Sequence, residues 1–202
     1  MNHSIKTKKG IQILGAGIMM IALLVSAINI QAQDKYKCTD AKITVNGTSN
    51  IHDWVMQGTN GSVSASFSSE GGKLKNLLSL AFTFPVKNLK SEHKLMDKNC
   101  YNAMKADKYP NVSFTGTSAV IKQNANGTYQ INCKGKLKIA DAVKDVELIA
   151  ICTINSDNSL SITGNFKLKM TDYNVEPPSI MMGSIVTGND VSINYTLHLN
   201  KQ

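Results

Sequence analysis

Over its last two thirds the chain is written in period two. Between Tyr129 and Ile139, the residues Tyr129, Ile131, Cys133, Gly135, Leu137 and Ile139 alternate with Gln130, Asn132, Lys134, Lys136 and Lys138. Successive side chains of an extended strand point to opposite faces, so the first set turns to an apolar interior and the second to water. Leu160, Ile162, Gly164, Phe166, Leu168 and Met170 read the same way, as do Val191, Ile193, Tyr195, Leu197 and Leu199. So do Leu78, Leu80, Phe82, Phe84 and Val86, and the shorter runs around Ile43, Trp54, Val63 and Val112–Phe114. Turn residues separate these runs at Glu70-Gly71-Gly72, Asn126-Gly127, Asp141–Lys144 and Asn155–Asn158. Eight or nine strands at hairpin spacing predict an all-β sandwich or barrel.

Register carries the next expectation. A hairpin centred between Ala142 and Val143 sets Ile139 opposite Val146, Leu137 opposite Leu148, and Cys133 opposite Cys152. Every inward residue then meets another inward residue. Cys133 and Cys152 would form either a disulfide, worth about 3 kcal/mol by closing a loop of about twenty residues, or two small buried thiols, because directly opposed pairs strain the bond. Gly164, on an inward position, reads as a place where a larger side chain would fill the interior.

Two segments break the period. From Leu95 to Lys108 the residues Met96, Cys100 and Met104 recur every fourth position, with Asp97 able to cap the start and Pro110 beyond the end. This predicts one short helix crossing between strands and closing an end of a barrel. The stretch Thr171–Asn189 holds Pro177-Pro178 and Ile180-Met181-Met182-Gly183. A connection of that length is either functional or mobile. Its adaptable methionines suit a lid over an apolar mouth, or plain packing of the loop onto the core.

At the N-terminus Lys6, Lys8 and Lys9 precede an uncharged apolar run from Ile11 to Ile30, then Gln31, Ala32 and Gln33. This reads as a secretory signal over residues 1–32, cut after Ala32 or Gln33, with a transmembrane anchor as the competing reading. The expected mature domain, residues 33–202, is long enough to bury one core. The product is then periplasmic or secreted, and its cysteines would enter an oxidising compartment. The net charge of +8 falls to about +5 once three lysines leave with the signal. All 22 basic residues are lysines. Bidentate recognition of phosphates and guanines relies on arginine, so no nucleic-acid partner is expected, and weak peripheral contact with anionic membranes is the remaining charge-driven option. Dimerisation is left open.

No nucleophile elbow, phosphate loop, zinc-protease helix or dinucleotide fingerprint occurs, so no catalytic residue, metal site or cofactor is assigned. His52, beside Asp53 and the sole tryptophan, Trp54, is the best polar candidate. It either anchors the barrel mouth structurally, orients a ligand's polar group, or serves catalysis. Neighbours on a strand face opposite ways, so His52 and Asp53 are not a ready acid–base pair.

Several segments in this order resemble the bacterial YceI-like family of periplasmic polyisoprenoid-binding proteins. They are Lys108-Tyr109-Pro110-Asn111-Val112-Ser113-Phe114, then Gly135-Lys136-Leu137-Lys138-Ile139 with Val143-Lys144-Asp145-Val146-Glu147-Leu148, then Met170-Thr171-Asp172-Tyr173-Asn174-Val175 and Gly188-Asn189-Asp190-Val191-Ser192-Ile193. The likeness covers about residues 40–199. Family members often carry Arg-Asp-x-His-Leu before the helix, where this chain has Ser91-Glu92-His93-Lys94-Leu95-Met96-Asp97. The resemblance implies an eight-stranded antiparallel lipocalin-like barrel with one short helix between strands, and a lengthwise apolar cavity for a polyisoprenoid, quinone-like or other lipid chain. The expected function is a non-catalytic carrier. The expected ligand contacts are His52, Trp54, Leu80, Phe82, Phe84, Met104, Phe114, Leu137, Phe166, Leu168, Tyr173, Met181 and Met182. The alternative is a solid-core module that binds a protein or a membrane through its exterior or its Met-rich loop.

Overall fold

The computed structural model describes residues 32–202; the expected signal segment lies outside the described residues apart from Ala32, its last position. Nine strands run β1 (Ala32–Ser49), β2 (Asp53–Glu70), β3 (Lys73–Pro85), β4 (Asn111–Gln123), β5 (Tyr129–Ile139), β6 (Ala142–Ile154), β7 (Leu160–Lys169), β8 (Ser179–Ile180) and β9 (Ile185–Lys201). Each long strand pairs antiparallel with its sequence neighbour, β7 pairs with β9, and β9 pairs back onto β1 through Ile43↔Tyr195 and Val45↔Ile193. That last ladder closes an eight-stranded barrel and leaves no long open edge. The two-residue β8 adds only Ser179↔Val186 and Ile180↔Ile185 beside the start of β9.

Closure depends on bulges that the alternation does not announce. The register between β1 and β2 shifts between Cys38 and Ala41, and Asn60 on β2 sits at φ 63°. The inward set of β1 accordingly switches from Tyr36 and Cys38 to Ala41, Ile43 and Val45, and that of β2 from Trp54 and Met56 to Val63, Ala65 and Phe67. An extra residue bends a strand and increases its twist, which an 18-residue strand needs in order to follow a small barrel. A similar slip between Ser66 and Phe67 turns Leu77 inward in place of Leu78, which is 52% exposed. Val86, expected at the end of that strand, instead packs in a 3₁₀ turn at 1% exposure.

The β5–β6 hairpin is tighter than the sequence reading. A two-residue turn, Ala140-Asp141, pairs Ile139 with Ala142, so Cys133 faces Leu148 and Cys152 faces Tyr129. The slip is four residues along β6, an even number, and the same side chains remain inside. It also separates the two thiols by four residues of strand, roughly 13 Å, far beyond disulfide reach. The expected Cys133–Cys152 pairing is therefore corrected, and all four cysteines are free. Two-residue loops match the twist of their strands. Ala140 takes φ 49° to make this one, and Asp141 anchors it, accepting bonds from Asn174 Nδ2 at 2.9 Å and Lys105 Nζ at 3.2 Å.

The expected helix forms as α1 (Lys94–Ala103), ending before Lys108 because the chain turns at Lys105, φ 51°. Asp97 is buried inside its first turns and reaches back to Ser91, accepting from its backbone N–H at 2.6 Å and its hydroxyl at 2.8 Å. The position before the helix is His93, whose side chain makes no capping bond.

The two ends of the barrel differ. At the end where β1 begins and β9 finishes, Leu160, Leu199 and Cys152 have no exposure, and Tyr36 meets Phe67 edge-on at 5.9 Å between ring centroids. This is a packed floor. At the other end stand the β1–β2 turn, α1, and the long connection from β7 to β9. On the rim of the floor, Lys201 Nζ lies 2.6 Å from Asp34 Oδ1, which ties β9 to β1, and Ser69 of β2 donates to the same carboxylate. Lys201 and then Ser69 hold the Asp34 carboxyl below the usual carboxylate range. A carboxylate with a lowered folded pKa contributes stability that is fully present above its unfolded value of about 3.9 and is lost as pH falls through the folded value. Asp34→Asn should therefore be less stable than the parent at pH 7, and its stability should fall less steeply toward pH 3. Urea unfolding at pH 7, 5 and 3 reads this out, and parallel pH dependences for both chains would discard it.

Candidate functional site: an apolar cavity open at one end

Inside the barrel lies a cavity of about 480 Å³. Its walls are the inward positions of all eight long strands, and its open end is partly covered by Leu95, Met96, Asn99, Cys100, Ala103 and Met104 of α1 and the residue after it. The strands place these residues by period two and the helix by period four, so two different local rules converge on one surface.

Of the residues expected to touch a ligand, His52, Trp54, Leu80, Phe82, Phe84, Met104, Phe114, Leu137, Phe166, Leu168 and Tyr173 all line this cavity. Met181 and Met182 do not. They stand in solvent at 70% and 107% exposure, both at positive φ (53° and 55°), and the inward contacts of that loop come from Pro178, Ile180 and Ile185. The left-handed backbone of the methionine pair, followed by Gly183 at φ 91°, turns the tip of the loop outward. Met96 and Cys100, absent from the expected contacts, carried their own signal, since they share the every-fourth spacing of Met104. Ile180 and Ile185 carried none, because only the path of the loop brings them over the mouth.

No Asp, Glu or Lys lines the cavity, and its polar groups cluster toward the open end. His52 is exposed there, and its Nδ1 bonds the carbonyl of Asp53 at 2.7 Å. A carbonyl only accepts, so Nδ1 carries the hydrogen and Nε2 of the neutral ring is an acceptor. Trp54 donates from Nε1 to the Thr48 carbonyl at 2.9 Å, and its ring covers Gly47, where any Cβ would collide with it. Gly47 is thus required as the seat of the indole. Gly164 is a second such seat. The Tyr195 ring lies across it and donates its hydroxyl to the Ile149 carbonyl at 3.1 Å. A side chain at Gly164 would displace Tyr195 rather than fill the cavity, contrary to the sequence expectation.

Burial decides the chemistry of the remaining polar groups. It pushes the Cys133 thiol up to about 11 and the Tyr195 phenol to about 12. Burial and then the Asp97 charge push Cys100 to about 11. These groups are neutral near pH 7, and a thiol that is not a thiolate is neither a nucleophile nor a metal ligand. Among the described residues no three His, Cys, Asp or Glu side chains come together as a metal site. The arrangement can desolvate an apolar chain and offer hydrogen bonds to a polar group at its outer end.

The YceI-like domain family model matches residues 36–199. The chain belongs to the YceI-like family. Among solved structures, the YceI-like barrel is similar to BcnA of Burkholderia cenocepacia, with TM-score 0.61 and 20% identity over 78% of this chain and 95% of the other. It is also similar to a polyisoprenoid-binding domain from Saccharophagus degradans implicated in plant cell wall breakdown, with TM-score 0.62, 10% identity, and 85% and 99% coverage. A Campylobacter jejuni YceI protein matches at TM-score 0.50 and 19% identity over 69% of this chain and 81% of that one. At these identities the likeness establishes a shared fold. Among curated proteins none matches the chain.

Proposed function

We propose that this protein is a non-catalytic carrier that holds one isoprenoid, quinone-like or other long apolar lipid in its barrel. The observation that carries the reading is the hollow, uncharged interior. A cavity of about 480 Å³ lies within the roughly 300–1,000 Å³ of small-molecule sites. An apolar chain that enters it leaves water for an uncharged, apolar lining. Ten buried methylene equivalents contribute roughly 8 kcal/mol before the cost of association. The Saccharophagus degradans domain, described as polyisoprenoid-binding, shares this fold and supports the chemical class.

Affinity on this reading follows the apolar walls, and His52 Nε2 and the Tyr173 hydroxyl orient a head group at about 1 kcal/mol each. The N-terminal signal reading places the carrier in the periplasm or outside the cell, after cleavage at Ala32 or Gln33. Catalysis has no support in the site, whose thiols are held neutral and whose His52 is bonded to a backbone carbonyl. The solid-core alternative requires a filled interior, which the cavity opposes.

Native mass spectrometry of the exported protein purified without detergent, followed by organic extraction, tests the proposal. A stoichiometric isoprenoid or fatty species is expected. An apo mass that persists after incubation with quinones and polyprenyl lipids would overturn it.

A further inference from the structure

The open end of the barrel carries an apolar rim. Ile51 of the β1–β2 turn is 57% exposed and Leu95 of α1 is 61% exposed, and both line the cavity with their inner atoms. Beyond them stand Met181 and Met182 of the loop leading into β9, and Val186 at the start of β9. Hydrogen bonds tie the turn to that loop. Asn50 Nδ2 donates to the Ser184 carbonyl at 2.9 Å, the Val186 N–H donates to Asn50 Oδ1 at 2.9 Å, and the Asn50 N–H donates to the Val186 carbonyl at 3.1 Å. Ile51 and Val186 are therefore held side by side on one rim, and their exposure is part of the fold. The left-handed conformation of Met181 and Met182 serves the same end, since it projects two large apolar side chains away from a cavity that could have buried them.

Charge accompanies the rim. Lys94 and Lys98 are exposed one turn apart on α1, the helix that carries Leu95, and neither forms an ion pair among the described residues. Lys90 precedes them, 3.9 Å from the buried Asp97. Glu92 is the exposed acid of this segment. The apolar tips number five, whereas a stable protein interface engages roughly 20–30 residues a side. A few apolar side chains flanked by lysines match what an interfacial, anionic lipid surface recognises.

We infer that the mouth of the barrel docks on an anionic lipid bilayer, with Ile51, Leu95, Met181, Met182 and Val186 inserted among the head groups and Lys94 and Lys98 facing the lipid charge. The docked cavity opens directly onto the acyl region, so an apolar chain passes between bilayer and barrel without crossing water. This inference rests on the carrier reading for its purpose, but docking and cargo binding are separable.

Flotation of the mature protein with vesicles of phosphatidylcholine alone and with one quarter phosphatidylglycerol measures docking. Quenching of Trp54 fluorescence by a water-soluble short-chain quinone measures cargo binding. Binding to the anionic vesicles, weakened by added salt, is expected. Met182→Asp should reduce it about tenfold or more. Lys94→Gln with Lys98→Gln should reduce it about 25-fold, at about fivefold per neutralised lysine. Both variants should keep the parent's quinone quenching, because none of the three residues lines the cavity. Absence of binding to either vesicle, or equal binding by parent and variants, would overturn the docking while leaving the carrier reading intact. A concentration-dependent dimer abolished by Met182→Asp would reassign the rim to a second copy. Vesicle binding without any cargo would instead count against the carrier.

Discussion

Replacing Leu80 and Leu168 together by tryptophan should cut lipid uptake by about a hundredfold while leaving the barrel folded. The two residues belong to β3 and β7, which stand opposite one another in the eight-strand order, and both side chains are partly open to the cavity. The two indoles would narrow the cavity from opposite walls along the path of a lipid chain. Denying the ligand three to four methylene sites removes roughly 3 kcal/mol of burial, which is about two orders of magnitude in affinity. Enlarging a side chain in a packed core costs about 1–3 kcal/mol, but here the space exists, so the unfolding midpoint should move little. Titration with a fluorescent polyprenyl probe, run beside thermal unfolding, separates the two effects. Undiminished uptake by a folded double variant would mean that the lipid is held elsewhere.

The second large effect lies at the other end. Leu160 has no exposure, does not line the cavity, and belongs to the floor with Leu199, Cys152, Tyr36 and Phe67. Leu160→Ala should lower stability by about 3–4 kcal/mol, the usual range for a buried leucine that leaves a hole. For a domain of this size that is roughly 10 °C in Tm. Lipid affinity of the folded fraction should be nearly unchanged, since the walls are untouched. Urea unfolding checks the first part. A loss below about 1 kcal/mol would show that the floor collapses around the hole and is softer than its burial indicates.

The packed floor and the hollow above it were not equally legible in the sequence. The inward faces of β5, β6, β7 and β9 were readable from alternation alone, because one side of each strand meets an uncharged interior and the other meets water. That reading survived a wrong register. The true β5–β6 turn is at Ala140-Asp141, yet Cys133, Leu137, Leu148 and Cys152 stayed inside, since a slip of four preserves the side-chain period. The disulfide expectation did not survive, because it depended on position along the strand rather than on face. Leu78 failed for the complementary reason, as a bulge shifts the pairing by an odd count and flips the face.

Within the site, eleven of the thirteen expected contacts line the cavity, and the two that do not, Met181 and Met182, share a cause. They were assigned from the adaptability of methionine, a property of composition, whereas their direction was set by the positive φ of two successive residues. The chain's alternation, its turn residues and the one fourfold-spaced segment determined an all-β barrel with an uncharged inside and, among the described residues, a single α-helix, because these are local rules that each element obeys by itself. Whether that inside is hollow, which end is plugged and which rim is apolar were decided only by the tertiary structure. They depend on where bulges fall, how the closed sheet tilts, and which side chains from distant strands share one cross-section, none of which leaves a mark on any one segment of sequence.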